Sequence, residues 1–128
     1  MSSKIRVAIV GSGMIANKAH IPAYFNISDK VEIIGVSDRY ESNAKETAER
    51  HNIANYYTDT EKMITDLKPD LISVCSPNVS HKPFTKIALE NGCHVICEKP
   101  LALTYSDTKE LFELAKSNNK HFWGWFSR

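Results

Sequence analysis

KIRVAIV at residues 4–10 runs straight into Gly11-Ser12-Gly13-Met14-Ile15-Ala16. A helical stretch then reaches Phe25, and a second apolar run, VEIIGVS at residues 31–37, ends on Asp38. Apolar run, glycine turn, helix, apolar run and terminal acid together make the βαβ unit that cradles a dinucleotide. Gly11 lets the chain turn sharply out of the first strand, where a side chain would be strained. Gly13 has no Cβ, so a pyrophosphate can lie against its backbone. Ala16 takes the third small position, where helix and strand pack closely. Amides beginning near Met14 and Ile15, with the flanking Ser12, face the phosphates at the positive end of the helix dipole.

Asp38 lies 22 residues after Ala16, the spacing of an acid that accepts hydrogen bonds from an adenosine ribose. A carboxylate there favours a free 2′-hydroxyl and repels a 2′-phosphate, so the expected cofactor is NAD. Arg39 works the other way: its guanidinium can lie over the adenine or pair with a 2′-phosphate, which leaves NADP open. A bare glycine fingerprint is weak, because glycine turns occur at many strand–helix junctions. S-adenosylmethionine-dependent methyltransferases also share a glycine turn and an acid after the second strand, with no pyrophosphate to hold. Residues further along the chain have to arbitrate.

At 128 residues the chain reads as one domain, 1–128, large enough for a core without staples. Hydrophobic residues are 42% of it and its formal charge is +1, as in an ordinary soluble globule. No basic stripe invites nucleic acid. The apolar runs are too short to span a bilayer, and Met1-Ser2-Ser3-Lys4 leaves no room for a signal peptide. Cys75, Cys93 and Cys97 suit neither a disulfide framework nor a zinc site. Buried, reduced thiols fit a cytoplasmic protein. His20, His51, His94 and His121 share no spacing, so no metal site is expected.

After Asp38, residues 41–51 (ESNAKETAERH) form a mostly polar helix with Ala44, Thr47 and Ala48 as its packing stripe. A short third strand is expected at 53–57 (IANYY). Thr58-Asp59 then caps a helix through Leu67, with Met63, Ile64 and Leu67 inward. LISVC at 71–75 is a buried parallel strand that opens into Ser76-Pro77-Asn78, a loop at a strand's carboxyl end. The next helix runs to Glu90 and stops at Asn91-Gly92; a fifth strand at 94–97 leads into Glu98-Lys99-Pro100. Thr104 opens a helix with Asp107 in its third position, a variant capping box, and Leu111, Phe112, Leu114 and Ala115 face inward. HFWGWF at 121–126 is a sixth, aromatic strand. The alternation predicts a Rossmann-type, doubly wound, parallel six-stranded α/β sheet.

Lys99 is the sharpest chemical candidate, because its loop shares a sheet edge with Gly11 and Asp38. An ammonium there can hydrogen-bond a substrate hydroxyl and stabilise alkoxide character as hydride leaves carbon. Three marks, Gly11-Ser12-Gly13-Met14-Ile15-Ala16, Ser76-Pro77-Asn78-x-x-His81 and Cys97-Glu98-Lys99-Pro100-Leu101-Ala102, resemble the N-terminal domain of the glucose–fructose oxidoreductase/inositol dehydrogenase (Gfo/Idh/MocA) family. The resemblance covers the whole chain, and its Glu-Lys-Pro element tells against a methyltransferase. It implies that Lys99 contacts the reacting hydroxyl and that Glu98 lies near the nicotinamide ribose. It further implies that Ser76, Pro77 and Asn78 line the cofactor, with His81 close to the nicotinamide end.

The resemblance also implies a second, α+β domain that supplies the substrate pocket. The chain reaches Ser127-Arg128 about where that domain would begin, so it reads as a cloned domain or a truncated product. Expected of it are NAD binding with little or no turnover, and a sugar, polyol or related alcohol as the substrate of the longer parent. Phe122, Trp123, Trp125 and Phe126 would lack part of their usual cover, a patch that favours self-association. The rival reading is a non-enzymatic NAD-binding sensor, which has no need of an ammonium beside the nicotinamide.

Overall fold

The apolar run that opens the chain is the centre of the sheet in the computed structural model, which describes residues 4–98 and 104–125. In β1 (Ile5–Val10), Val7 and Ile9 join the core on one face while Ala8 and Val10 join the core on the other. None of the four is more than 1% exposed, so the strand is walled in on both sides as a parallel strand requires. The sheet has six strands in the order β3-β2-β1-β4-β5-β6, and every pair is parallel. The others are β2 (Val31–Ser37), β3 (Tyr56–Tyr57), β4 (Leu71–Val74), β5 (His94–Glu98) and β6 (Phe122–Trp125). Strand order reverses between β1 and β4, which opens a crevice at their carboxyl ends. This is the doubly wound sheet that the strand–helix spacing predicts.

Helices cover the sheet unevenly. α3 (Thr60–Leu67), α4 (His81–Glu90) and α5 (Tyr105–Ser117) supply Met63, Ile64, Leu89, Leu111 and Ala115 to one face. α1 (Ile21–Phe25) and α2 (Glu41–His51) supply Ile21, Tyr24 and Ala48 to the other. Along β5 the cover is one-sided: Val95 and Cys97 are buried, but the alternate residues His94, Ile96 and Glu98 are only half-buried. Trp123 of β6, which pairs with Ile96, is 46% exposed.

Local chemistry sets the boundaries. Asp59 caps α3 by accepting the Lys62 N–H at 3.0 Å, and Thr104 caps α5 by accepting the Asp107 N–H at 3.1 Å. The Asp107 carboxylate turns to Lys82 Nζ at 2.8 Å and ties α4 to α5. Helical backbone begins at residue 14, and a π turn (Ala16–His20) precedes α1. Ile21 N–H bonds the carbonyl of Ala16, and the widened turn accommodates Pro22, which lacks the N–H an α-helix would use there.

Three expectations change. The third strand shrinks from residues 53–57 to Tyr56–Tyr57, because Asn52 at φ 60° reverses the chain and Ile53 N–H closes α2 onto Ala48 at 2.8 Å. Phe112 does not face inward: it is 44% exposed, while Leu111 and Ala115, one turn apart, form the buried line. Phe122 is covered, not bare, at 5% exposure with the Phe112 ring 4.7 Å away. Of the aromatic patch, Trp123 stays exposed and Phe126 lies outside the described residues. Among the described residues, no helix is long and apolar enough to cross a membrane.

Candidate cofactor-binding site

Gly11 ends β1 at φ +92°, in the region that favours glycine. A Cβ there would sit 2.7 Å from the Ser76 nitrogen, 2.8 Å from its Cα and 2.9 Å from the Cys75 carbonyl carbon. The glycine loop and the loop after β4 therefore touch backbone to backbone, and no side chain fits between them. Gly13 differs: a Cβ at that position meets nothing within 4 Å. The space in front of it is open, as a cradle for a ligand backbone must be. Asn17 N–H closes the first helical turn onto Gly13 at 3.1 Å, so the amides just before it have no acceptor within the helix. Met14, 71% exposed, and Ile15, 37% exposed, stand at this mouth despite being apolar.

Asp38 faces the same loop across β1 and β2. Its Oδ2 accepts the Ser12 N–H at 3.0 Å and the Ser12 hydroxyl at 2.7 Å, and its Oδ1 accepts the Tyr40 N–H at 2.9 Å. The protein's own hydrogen bonds thus aim the carboxylate at the glycine loop. The guanidinium of Arg39 lies over the exposed Tyr40 ring, 5.0 Å from its centroid.

On the other side of the crevice, Ser76 and Pro77 form a braced turn. The Ser80 hydroxyl donates to the Pro77 carbonyl at 2.7 Å, and its oxygen pairs with the Ser76 hydroxyl at 2.9 Å. Asn78 begins a short 3-10 turn (Asn78–Ser80). His81 is 1% exposed, and its Nε2–H donates to the Ser76 carbonyl at 2.8 Å, so the ring supports this loop from beneath. Glu98 ends β5 with Oε1 2.7 Å from Nε2 of His20, a ring with no exposed surface. Burial lowers the His20 pKa despite the Glu98 hydrogen bond and charge, which favours a neutral ring that donates to the carboxylate. Burial also pushes the Cys75 thiol well up, and the neighbouring Glu98 and Cys97 add to it. Tyr24, bonded to Ser73, is raised to about 12, again chiefly by burial. Lys99 lies outside the described residues. Among those described, no group of three or more His, Cys, Asp or Glu side chains could hold a metal ion.

Two residues at the site carry no sequence fingerprint that sets them apart. Asn17 donates its amide to the carbonyls of Ser12 and Gly13 at 2.9 and 3.0 Å, and its oxygen accepts from His51 Nε2 at 2.8 Å. It fastens the glycine loop to α2. His20 is the other. Its four-residue spacing from Tyr24, on the helix leaving the glycine loop, is the one signal that could have marked it.

The crevice, the glycine loop and the acid facing it agree with the comparisons. Residues 5–124 match the family model GFO_IDH_MocA, described as an oxidoreductase family with an NAD-binding Rossmann fold. The chain is 42% identical over 119 residues to D-glucoside 3-dehydrogenase of Escherichia coli, covering 93% of this chain and 34% of that protein. It is 32% identical to the NADP(+) scyllo-inositol 2-dehydrogenase of Bacillus subtilis, covering 89% of this chain and 34% of the relative. The WlbA dehydrogenase of Chromobacterium violaceum, solved with NADH and UDP-GlcNAcA, superposes with a TM-score of 0.89 at 30% identity. That match covers 95% of this chain and 35% of the solved one. The chain therefore spans about a third of the length of these relatives. It belongs to the Gfo/Idh/MocA oxidoreductase family, as that family's NAD-binding Rossmann domain.

Proposed function

We propose that this domain seats NAD across the β1/β4 crevice and serves an oxidoreductase that moves hydride between nicotinamide and a sugar, polyol or related alcohol. The observation that carries the reading is the open cradle at Gly13 facing a carboxylate already aimed at the same loop. Amides of Gly13, Met14 and Ile15 bind the pyrophosphate at the helix start. Asp38, on the β2 side, accepts from the adenosine ribose and disfavours a 2′-phosphate, so NAD is preferred to NADP. Arg39, now over Tyr40, is free to turn onto the adenine.

With the adenosine on the β2 side, the other mononucleotide falls against β4 and β5. Ser76, Pro77 and Asn78 line that half, His81 supports it, and Glu98 lies beside the ribose. Bound nicotinamide supplies the hydride acceptor or donor. Lys99 hydrogen-bonds the reacting hydroxyl and stabilises its alkoxide character, while the substrate pocket itself comes from outside these residues. By itself the chain binds NAD with little or no turnover. Free cysteines at 75, 93 and 97, of which Cys93 and Cys97 are buried, support a reducing, cytoplasmic setting.

Calorimetry with NADH, NADPH and S-adenosylmethionine tests the reading. NADH should bind most tightly, NADPH more weakly, and S-adenosylmethionine not measurably. Binding of S-adenosylmethionine in place of NADH would overturn it.

A further inference from the structure

The helix that leaves the glycine loop reaches across to β4 and β5 through two polar side chains, four residues apart. Tyr24 bonds Ser73 in the middle of β4, and His20 bonds Glu98 at the last residue of β5. The second contact joins the loop holding one end of the ligand to the strand end from which the Lys99 segment departs. The His20 ring is wholly buried, the Glu98 side chain is 12% exposed, and their polar atoms are 2.7 Å apart. A carboxyl group at that depth needs a hydrogen-bond partner to be held in one place. The π turn that ends at His20 is a feature that recurs at functional sites.

We propose that His20 is a positioning residue: by donating to Glu98 it fixes the carboxyl group at the end of β5 relative to the glycine loop. His20 itself touches neither cofactor nor substrate. It acts through Glu98. Seating of the pyrophosphate on residues 11–15 and placement of Glu98 at the nicotinamide-side ribose are thereby coupled through one helix. This inference rests on the cofactor reading of the crevice.

The test compares two probes on the same chain by calorimetry: NADH, and ADP, which lacks both the nicotinamide ring and the ribose that carries it. His20→Leu should weaken NADH about tenfold, the scale of one charge-assisted hydrogen bond, and leave ADP within about twofold. His20→Gln, whose amide N–H can stand where Nε2–H does, should restore most of the NADH affinity. Glu98→Gln should give the same selective loss, and the double variant should be no worse than Glu98→Gln alone. Equal losses for NADH and ADP would mean that His20 only supports the fold, and would overturn the proposal. So would additive losses in the double variant. Should His20→Leu not fold, the His20→Gln and Glu98→Gln pair decides on the same criteria. A wild-type chain that binds neither probe would overturn the cofactor reading itself, and this proposal with it.

Discussion

Gly11 and Gly13 lie two residues apart in one loop, yet alanine at each should fail in a different way. At Gly11 the added Cβ would occupy a φ of +92° and come within 2.9 Å of three backbone atoms of Cys75 and Ser76. The conformation costs about 1–2 kcal/mol for an L-residue. Forcing the two loops apart adds about 1–3 kcal/mol, since backbone cannot swing aside as a flexible side chain can. A loss of about 3–4 kcal/mol is a large part of the roughly 5–15 kcal/mol that holds a domain folded. With a urea slope of about 1–3 kcal/mol/M, Gly11→Ala should lower the unfolding midpoint by about 2 M. At Gly13 the same methyl group enters open space, so Gly13→Ala should unfold within about 0.5 kcal/mol of the parent. Its NADH affinity should nonetheless fall at least about tenfold, because the methyl fills the room meant for the pyrophosphate. Urea titration followed by tyrosine and tryptophan fluorescence, with NADH calorimetry on the same samples, reads both effects. Parent-like NADH binding by Gly13→Ala, or parent-like stability of Gly11→Ala, would refute the reasoning.

Replacing Asp38 with Ala should narrow the affinity gap between NAD and NADP, measured by paired titrations; an unchanged ratio would remove its assigned role. In a longer chain carrying this domain, Lys99→Ala should cut kcat by about two orders of magnitude or more with little change in NADH affinity, read by steady-state kinetics. Tyr24 makes stability fall at alkaline pH: its hydroxyl is raised from 10.0 to about 12, so the folded chain holds a proton that the unfolded chain has released. The stability it contributes is present below pH 10 and is lost as pH rises toward 12, about 2–3 kcal/mol in all; Tyr24→Phe should flatten that part of the profile in urea titrations. Trp123, exposed on the half-covered face of β5 and β6, should drive self-association, so Trp123→Lys should shift sedimentation at high concentration toward monomer.

Periodicity and punctuation made most of the architecture legible. The central strands emerge from apolar runs because a parallel strand inside the sheet is buried on both faces and cannot tolerate interruption, as in β1 and β4. Caps at Asp59 and Thr104 were legible because a short acceptor side chain before a helix has one favoured use. Residues 53–55 were not, since Ile53 and the Tyr56-Tyr57 pair together suggest one strand, while Ile53 N–H closes α2 and Asn55 reaches β2. Phe112 stays half-exposed, with its ring against Phe122, because helix phase, set by Leu111 and Ala115, outranks hydrophobicity. At the site, Gly11, Gly13 and Asp38 announced themselves through spacing along the chain. Asn17 and His20 did not, because their partners lie 34 and 78 residues away and only the fold brings them together.

The central claim is that residues 11–15 and Asp38 together seat a dinucleotide. A crystal structure of the chain grown with NADH tests it most directly. The pyrophosphate is expected against the amides of Gly13, Met14 and Ile15, with the adenosine ribose hydroxyls on Asp38. A vacant crevice at saturating NADH, or a ribose bound away from Asp38, would contradict it.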